Sequence, residues 1–500
     1  MINTATGSTT STTNNASLQV YAGDEITSVI IDPGSYTTNI GISGLDYPQI
    51  QTPSSYGIQS EEESDTGSIT DKKKNDNSRK FFNEQSLLFP RKDYEINRVV
   101  ENGMILNWDV AEEQWSYFLE KELYLPSTKG VPCFLSEPIW NTEDNRKKSL
   151  EVLLESMQFE AMFLAPTPTC LSFAMGRANC LVVDIGHDCC SASPVLDGLT
   201  LSKSTRRNFF AGNFLNELLK EKIIDKCQNS TKIKDLIPLF KIKQKSPELI
   251  LKKFDFDIHP SLVNYGNERG FLQECKETLL QAVPGLKNDL PLTASRLIES
   301  PWGETIEFTN EERYELPNQL FDPTTIPANW PIDANGVVET WHNDYIPLKR
   351  NNNKQQNTET QDDTATPAPD TDSTLPSATT AARNNGDERI NDISGLVDIV
   401  YASIMDCDVD VRGTLAHNIV VTGGTSYIPG LVDKLQTELS KKLPALKLRT
   451  LTSGTLNERV YQSWLGGSIL TSLGTFHQLW VGKEEYNEVG ADRLLKTRFR

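Results

Sequence analysis

The chain has 500 residues, with 49 Lys and Arg against 68 Asp and Glu for a formal charge of -19. At about 100–200 residues per domain this length predicts two to four domains, and the acidic balance argues against a broad nucleic-acid backbone surface while suiting basic protein partners. The eight cysteines form no CxxC pair, which excludes the usual zinc and disulfide frameworks and fits a reducing compartment; no apolar run reaches the length of a membrane span.

Residues 1–17 are rich in Ser, Thr and Asn, lack the basic start and apolar stretch of a leader, and predict a loose tail. The stretch "LQVYAGDEITSVIIDPGSYTTNIGIS" then supplies two strands joined by a Pro-Gly turn. Residues 60–80, "SEEESDTGSITDKKKNDNSRK", have no apolar periodicity and predict a mobile polar loop. Its lysine triplet would suit either a solvated loop or a nuclear import signal.

"NWDVAEEQWSYFLEKEL" (Asn107 to Leu123) is helical, with Val110, Trp115, Phe118, Leu119 and Leu123 along one stripe. Its paired glutamates are most simply the wet face. "GVPCFLSEPIWNTEDNRKKSLEVLLESM" follows as strand, turn and amphipathic helix, with Asn or Thr as N-cap. "CLVVDIGHDCCSASPVLDG" (Cys180 to Gly198) repeats the opening design about 150 residues on: apolar strand, Asp, one residue, Gly, then a second strand. Two such hairpins predict an internal duplication.

From about 323 to 390 large apolar residues almost vanish, which predicts a disordered insertion inside a folded domain. Trp302, Trp330 and Trp341 flank it and are expected to pack locally. Order returns at "ISGLVDIVYASIMDCDVDVR", a helix with Leu396, Ile399, Val400, Ser403 and Ile404 on one face. "NIVVTGGTSYIPGLVDKLQTEL" is strand, Gly-Gly turn and helix.

The chemistry sits in three glycine turns. An aspartate ending a strand beside a glycine turn lets backbone N–H groups face a phosphate while its carboxylate reaches a magnesium ion, directly or through water. Asp32 with Gly34 and Ser35 makes one such turn and Asp184 with Gly186 another; Gly423, Gly424 and Thr425 make a third that admits the purine side of a nucleotide. The vicinal Cys189 and Cys190 read as core filling, and the five histidines are scattered without a metal or triad spacing.

"DPGS", "DIGH", "VTGGTSYIPG", "IMDCDVDVR", "SWLGGSILTSLGTFHQLW" and the ending "LWVGKEEYNEVGADRLLKTRF" together resemble the actin superfamily, from about Gln19 to the C-terminus. Within it, "VYAGDEITSVIIDPGSYTTNIG", "LAPTPTCLSFAMGRANCLVVDIGHD" and "LSKSTRRNFFAG" are similar to a nuclear class of actin-related proteins, the fourth in yeast numbering. That class supplies subunits of chromatin remodelling and histone acetyltransferase complexes, with roles in transcription regulation and DNA repair. The resemblance implies an α/β, actin-like fold: two ribonuclease-H-like halves in four subdomains around a nucleotide cleft. The first half would span 18–178, the second 179–465, and the segment 466–500 would return to the first subdomain.

It also implies ATP with Mg2+ or Ca2+ in that cleft. Asp32, Gly34, Ser35, Tyr36, Thr37, Asp184, Gly186, His187, Gly212, Gly423, Gly424 and Thr425 would hold the nucleotide, and Asp32 and Asp184 the metal through water. In actins a lysine about seven residues past the first aspartate contacts the phosphates; Asn39 stands in its place, and Tyr36 replaces a glycine and is expected to crowd the turn. The glutamine that positions the attacking water corresponds to Thr167, and the histidine that assists it to Ser191. Hydrolysis needs a water in line with the departing phosphate and a group to orient its proton, so slow or absent turnover is expected. The alternative, a weak actin-like ATPase, would rely on His187; a sugar kinase of the same superfold is disfavoured by the extent of the C-terminal pattern.

The resemblance further implies a groove between the first and third subdomains that takes a helicase-SANT-associated helix of a remodeller ATPase or scaffold subunit, shared with one actin molecule. Its matching walls are Phe173, Met175, Gly176, Ile469, Leu470 and Leu473. Histones would suit the acidic surface. A nuclear location, no membrane contact and no filament are expected, since the charged 60–80 stretch and the long insertion fall where actin makes its subunit contacts.

Overall fold

Val29–Pro33 is buried along its whole length, because it runs through the middle of a sheet with covered faces on both sides, as its unbroken apolar start requires. The computed structural model, which describes residues 27–60, 78–228, 235–283, 295–327, 330 and 395–499, places it third from the end of a six-stranded sheet. The order is Val481–Gly482, Ala161–Pro166, Pro132–Glu137, Val29–Pro33, Thr37–Ile42 and Ile50–Pro53. The opening hairpin and Ile50–Pro53 pair antiparallel, whereas Val29–Pro33, Pro132–Glu137 and Ala161–Pro166 run parallel.

The second sheet repeats this plan. Leu199–Thr200, Cys190–Leu196 and Cys180–Ile185 pair antiparallel in that order, and Cys180–Ile185 continues in parallel to Ile419–Thr422 and Thr450–Leu451. In each half three antiparallel strands are followed by two parallel ones, so the duplication suggested by the two Asp-x-Gly hairpins extends to the whole strand order. The fold is therefore α/β in two like halves, each sheet flanked by helices. Each half has its own large apolar core, one around Ile31, Trp115 and Phe159 and the other around Phe214, Phe308 and Leu435.

Local chemistry explains the flanking helices. Trp108–Lys121 starts at Asn107, whose side chain accepts the Val110 N–H at 3.2 Å, and buries Val110, Trp115, Phe118 and Leu119 as the stripe requires. Leu123 lies just beyond its end. Glu143–Glu151 is capped by Thr142, the second of the two candidate caps. Leu396–Met405 buries Leu396, Ile399, Val400, Ser403 and Ile404; a separate helix, Val409–His417, follows it and was not distinguished from it in the sequence.

The halves meet where Thr167–Ala174 packs against Gln462–Thr471. The approach depends on Gly466, where a Cβ would lie 1.8 Å from the carbonyl oxygen of Cys170; any side chain there would force the helices apart. The C-terminal segment returns to the first half: Val481–Gly482 pairs with Ala161–Pro166, and Leu494, Leu495 and Phe499 join its core.

Ser55–Gln59, Arg79–Phe81 and Tyr94–Arg98 form a small sheet above the first half. Arg79 and Lys80, expected within the polar loop, are thus strand residues, fixed by pairing with Gln59 and Ile58 and by the Lys80–Glu113 ion pair at 2.5 Å. The tail 1–17, residues 61–77 of that loop and most of the 323–390 insertion lie outside the described residues. Trp302 is buried against Phe271 and Trp330 lies against Phe214, in keeping with local packing; Trp341 is outside the described residues. All eight cysteines are free, and Cys190 is fully buried.

Candidate nucleotide site

The two Asp-x-Gly hairpins open onto one cleft of about 490 Å³ between the halves. Every residue nominated for nucleotide contact lines it except Gly212. That residue sits behind the wall: its N–H donates to the Gly186 carbonyl at 3.1 Å, and a Cβ there would lie 2.7 Å from Thr425 Oγ1. Thr425 Oγ1 donates to the same carbonyl at 2.8 Å, so Gly212 and Thr425 together fix the second turn.

Asp32 and Asp184 are both held inside. Asp32 takes a hydrogen bond from the Ser136 hydroxyl on Oδ1 and from Asn39 Nδ2 on Oδ2 at 3.3 Å. Burial pushes its carboxyl up, against those hydrogen bonds. Asp184 is pushed up to about 6, by burial first and by the charge of Asp32 second. Two mutually repelling, desolvated carboxylates at one cleft floor are a donor set that a hydrated Mg2+ or Ca2+ fits. Asn39, in register with Asp32, can orient that carboxylate but brings no positive charge to a phosphate.

The turns themselves demand glycine at two places. At Gly34 the N–H donates to the Thr37 carbonyl at 3.2 Å, and a Cβ would fall 2.7 Å from that oxygen. Gly423 has φ of +85°, and a Cβ would meet the Ile185 carbonyl at 2.3 Å and Asp184 Oδ1 at 2.5 Å. Gly424 then opens a short 3-10 turn, Gly424–Tyr427.

Ser35 and Tyr36 are engaged in ways that the sequence did not reveal. Ser35 Oγ accepts the Gly103 N–H at 2.9 Å. Tyr36 reaches across to the second half: its ring lies under the Arg269 guanidinium at 3.6 Å and beside the His187 ring at 4.9 Å, and Arg269 also donates to its carbonyl. Burial pushes the Tyr36 hydroxyl up to about 12. His187 Nε2 lies 2.8 Å from Glu268 Oε1.

Thr167 and Ser191 both line the cleft. Thr167 Oγ1 donates to the Glu137 carbonyl at 3.0 Å, which fixes the hydroxyl on the backbone. Ser191 sits in strand register with Asp184 and is buried. Neither side chain is long enough to do the work of a glutamine or a histidine.

Other lining residues carry no local motif and were missed: Gln273, Lys276 and Glu277 on the helix Gln273–Leu279, and Tyr427 and Arg459 facing them. Burial pushes the Lys276 ammonium down to about 8. Arg459 donates to the Ser426 carbonyl at 2.9 Å and stands over the Tyr427 ring. Only the chain's return through distant helices brings these groups together.

The helix-groove residues lie where Thr167–Ala174 meets Gln462–Thr471. Ile469 and Leu473 are 37% and 44% exposed; Phe173 and Met175 are half-buried, and Gly176 is exposed with φ of +61°. Leu470, nominated with them, is only 7% exposed and packs with Trp464 and Phe476. It supports the wall from beneath.

The sequence profile of the actin family matches residues 23–499. The chain is similar to Actin-related protein 4 of Saccharomyces cerevisiae, 54% identical over 511 residues covering 97% of this chain and 100% of the relative. It is 52% identical to Actin-related protein 4 of Eremothecium gossypii, covering 97% and 100% of the two chains. With Actin-related protein 4 of Schizosaccharomyces pombe it shares 33% identity, covering 95% and 97%.

Proposed function

The chain belongs to the actin family, and from that premise we propose that it is a structural member which holds ATP and turns it over slowly or not at all. One observation carries this reading. The cleft keeps the paired carboxylates Asp32 and Asp184, while the two positions that would align and deprotonate a water hold Thr167, bonded to a backbone carbonyl, and Ser191.

In this reading the backbone of the Gly34 and Gly186 turns faces the phosphates, Gly423 lets the base side approach, and Asp32 and Asp184 hold a hydrated Mg2+ or Ca2+ through its waters. The cation, when bound, neutralises the carboxylates and the phosphates against each other. Asn39 and Ser136 hold Asp32 in place for it. Nucleotide then acts as a ligand that binds only the folded cleft and stabilises it by mass action. An ATPase using His187 fits less well, since its Nε2 is already directed to Glu268.

The proposed setting is the nucleus, in chromatin remodelling and histone acetyltransferase assemblies that serve transcription regulation and DNA repair. Exposed Ile469 and Leu473, with Phe173 packed against the cluster of Trp464 and Leu470, support a groove for the apolar stripe of a helicase-SANT-associated helix shared with actin. The charge of -19 supports a direct role toward histones. To test this, the full chain is purified, its bound nucleotide extracted and identified, and its capture by an immobilised helicase-SANT-associated peptide measured with and without actin. Intact ATP and co-capture with actin are expected. An empty cleft that also fails to take up added Mg-ATP would refute the first part, and absence of peptide capture the second.

A further inference from the structure

We infer that the two phosphate turns are tied to each other by a protein latch, which closes the cleft and sets how fast nucleotide leaves. Its role in release rests on the nucleotide reading above. The latch has two strands of contact. Tyr36 of the first turn packs against Arg269 at 3.6 Å and the tilted His187 ring at 4.9 Å. Asp188, beside His187 in the second turn, accepts Arg98 Nη1 at 3.0 Å on Oδ1 and the Asn102 N–H at 2.9 Å on Oδ2.

Both strands cross between the halves at the level where the turns would face phosphate. They are also braced: His187 Nε2 lies 2.8 Å from Glu268. Although burial opposes its ionisation, that hydrogen bond and the charges of His187, Arg98 and Arg269 hold the Glu268 carboxyl down to about 2. The Asp188 side chain is 5% exposed and that of Arg98 32%, so the contact is partly shielded from water and salt.

The placement gives the latch its consequence. On its far side lies a second, polar cavity of about 310 Å³, lined by Arg98, Glu268, Arg269 and Asn216, among others. Tyr36 and Ser35 line both cavities. The first-turn side of the latch therefore lies between them, and opening it would join the nucleotide cleft to this second cavity. Asn216 is 1% exposed, and its amide atoms have no hydrogen-bond partner among the described residues, which leaves a buried polar group ready to meet water in that cavity. Closure that relies on side chains of the chain itself does not wait for a terminal phosphate; the closed state is populated in advance.

The experiment follows release of N-methylanthraniloyl-ATP with Mg2+ from the full chain after a chase with unlabelled ATP. Arg98→Gln, Asp188→Asn and the double variant are compared, with Arg98→Lys as the conservative control. Removing one partner of a buried charge pair acts on dissociation, so each single variant is expected to release at least about tenfold faster. The double variant should be no faster than the quicker single one, because both remove the same contact. Arg98→Lys should fall between. Hydrogen exchange over residues 98–103 in nucleotide-free protein is expected to quicken in Arg98→Gln. Equal release rates in wild type and both single variants would overturn the gate and leave the nucleotide reading standing. If the wild type takes up no labelled ATP, the nucleotide reading and the release role fall together, while unchanged exchange in Arg98→Gln overturns closure by the latch itself.

Discussion

Replacing Asp184 by Asn tests the cleft floor from two sides at once. The Asp184 carboxyl rises from 3.8 to about 6, chiefly through burial and then through the charge of Asp32. A folded-state value above the unfolded one means that the folded chain binds the proton more tightly. The associated stability is present below about 4 and is lost as pH rises through about 6. The shift of about 2 units corresponds to about 3 kcal/mol at 1.36 kcal/mol per unit, borne in full at neutral pH when neither nucleotide nor metal is bound. Asp184→Asn keeps the shape and removes the charge, so nucleotide-free protein in chelator at pH 7.5 should become more stable by up to about 3 kcal/mol. Its stability should also vary less between pH 4 and 6. In Mg-ATP the order reverses, because the variant has lost half of the carboxylate pair and gains little from the ligand. Urea unfolding monitored by tryptophan fluorescence, with and without Mg-ATP, reads both effects. A nucleotide-free variant less stable than wild type, or one stabilised by Mg-ATP as strongly as wild type, would refute the assignment of this pair as a cation site.

Other substitutions separate the parts of the account. Gly423→Ala forces a side chain onto φ of +85° and ψ of 149°, a region open essentially to glycine, at about 1–3 kcal/mol, and drives a Cβ against Asp184; lower melting temperature and weakened ATP binding by calorimetry are expected, and an unchanged melt would show that the turn relaxes. Asn39→Lys sets a cation beside Asp32 and should tighten Mg-ATP binding by about tenfold, a charged hydrogen bond being worth about 1.5–3 kcal/mol, with no gain in phosphate release because Thr167 and Ser191 are untouched. Leu473→Asp, at a position 44% exposed, should shift stability by no more than about 0.5 kcal/mol while abolishing capture by the helicase-SANT-associated peptide. Undiminished capture would place the groove elsewhere.

The parts of the site that were legible in the sequence are those encoded by neighbours in the chain. Asp32 with Gly34, Asp184 with Gly186, and Gly423 with Gly424 each sit on a strand-turn junction, where an apolar run, a carboxylate and a glycine declare both geometry and chemistry. The likeness of the two halves was legible in the same repeat, whereas their strand order was not. What stayed hidden depends on packing between distant segments. Tyr36 read as a bulky intruder in a phosphate turn, yet its ring finds a place against Arg269 and His187, which are 233 and 151 positions away. Lys276 and Arg459 look like ordinary helix-surface cations until the fold turns them into the cleft. Leu470 stands one residue after Ile469 and three before Leu473, but it packs with Trp464 and Phe476, and periodicity alone does not say which apolar stripe is covered.

The proposed holding role requires that Asp32 and Asp184 bind Mg-ATP while Thr167 and Ser191 leave its attacking water unactivated. A single-turnover experiment with ATP labelled in the terminal phosphate, Mg2+ and excess full-length protein addresses this most directly. Label that stays on bound ATP far beyond the time in which actin releases phosphate is the predicted result. Release of labelled phosphate at an actin-like rate would contradict it.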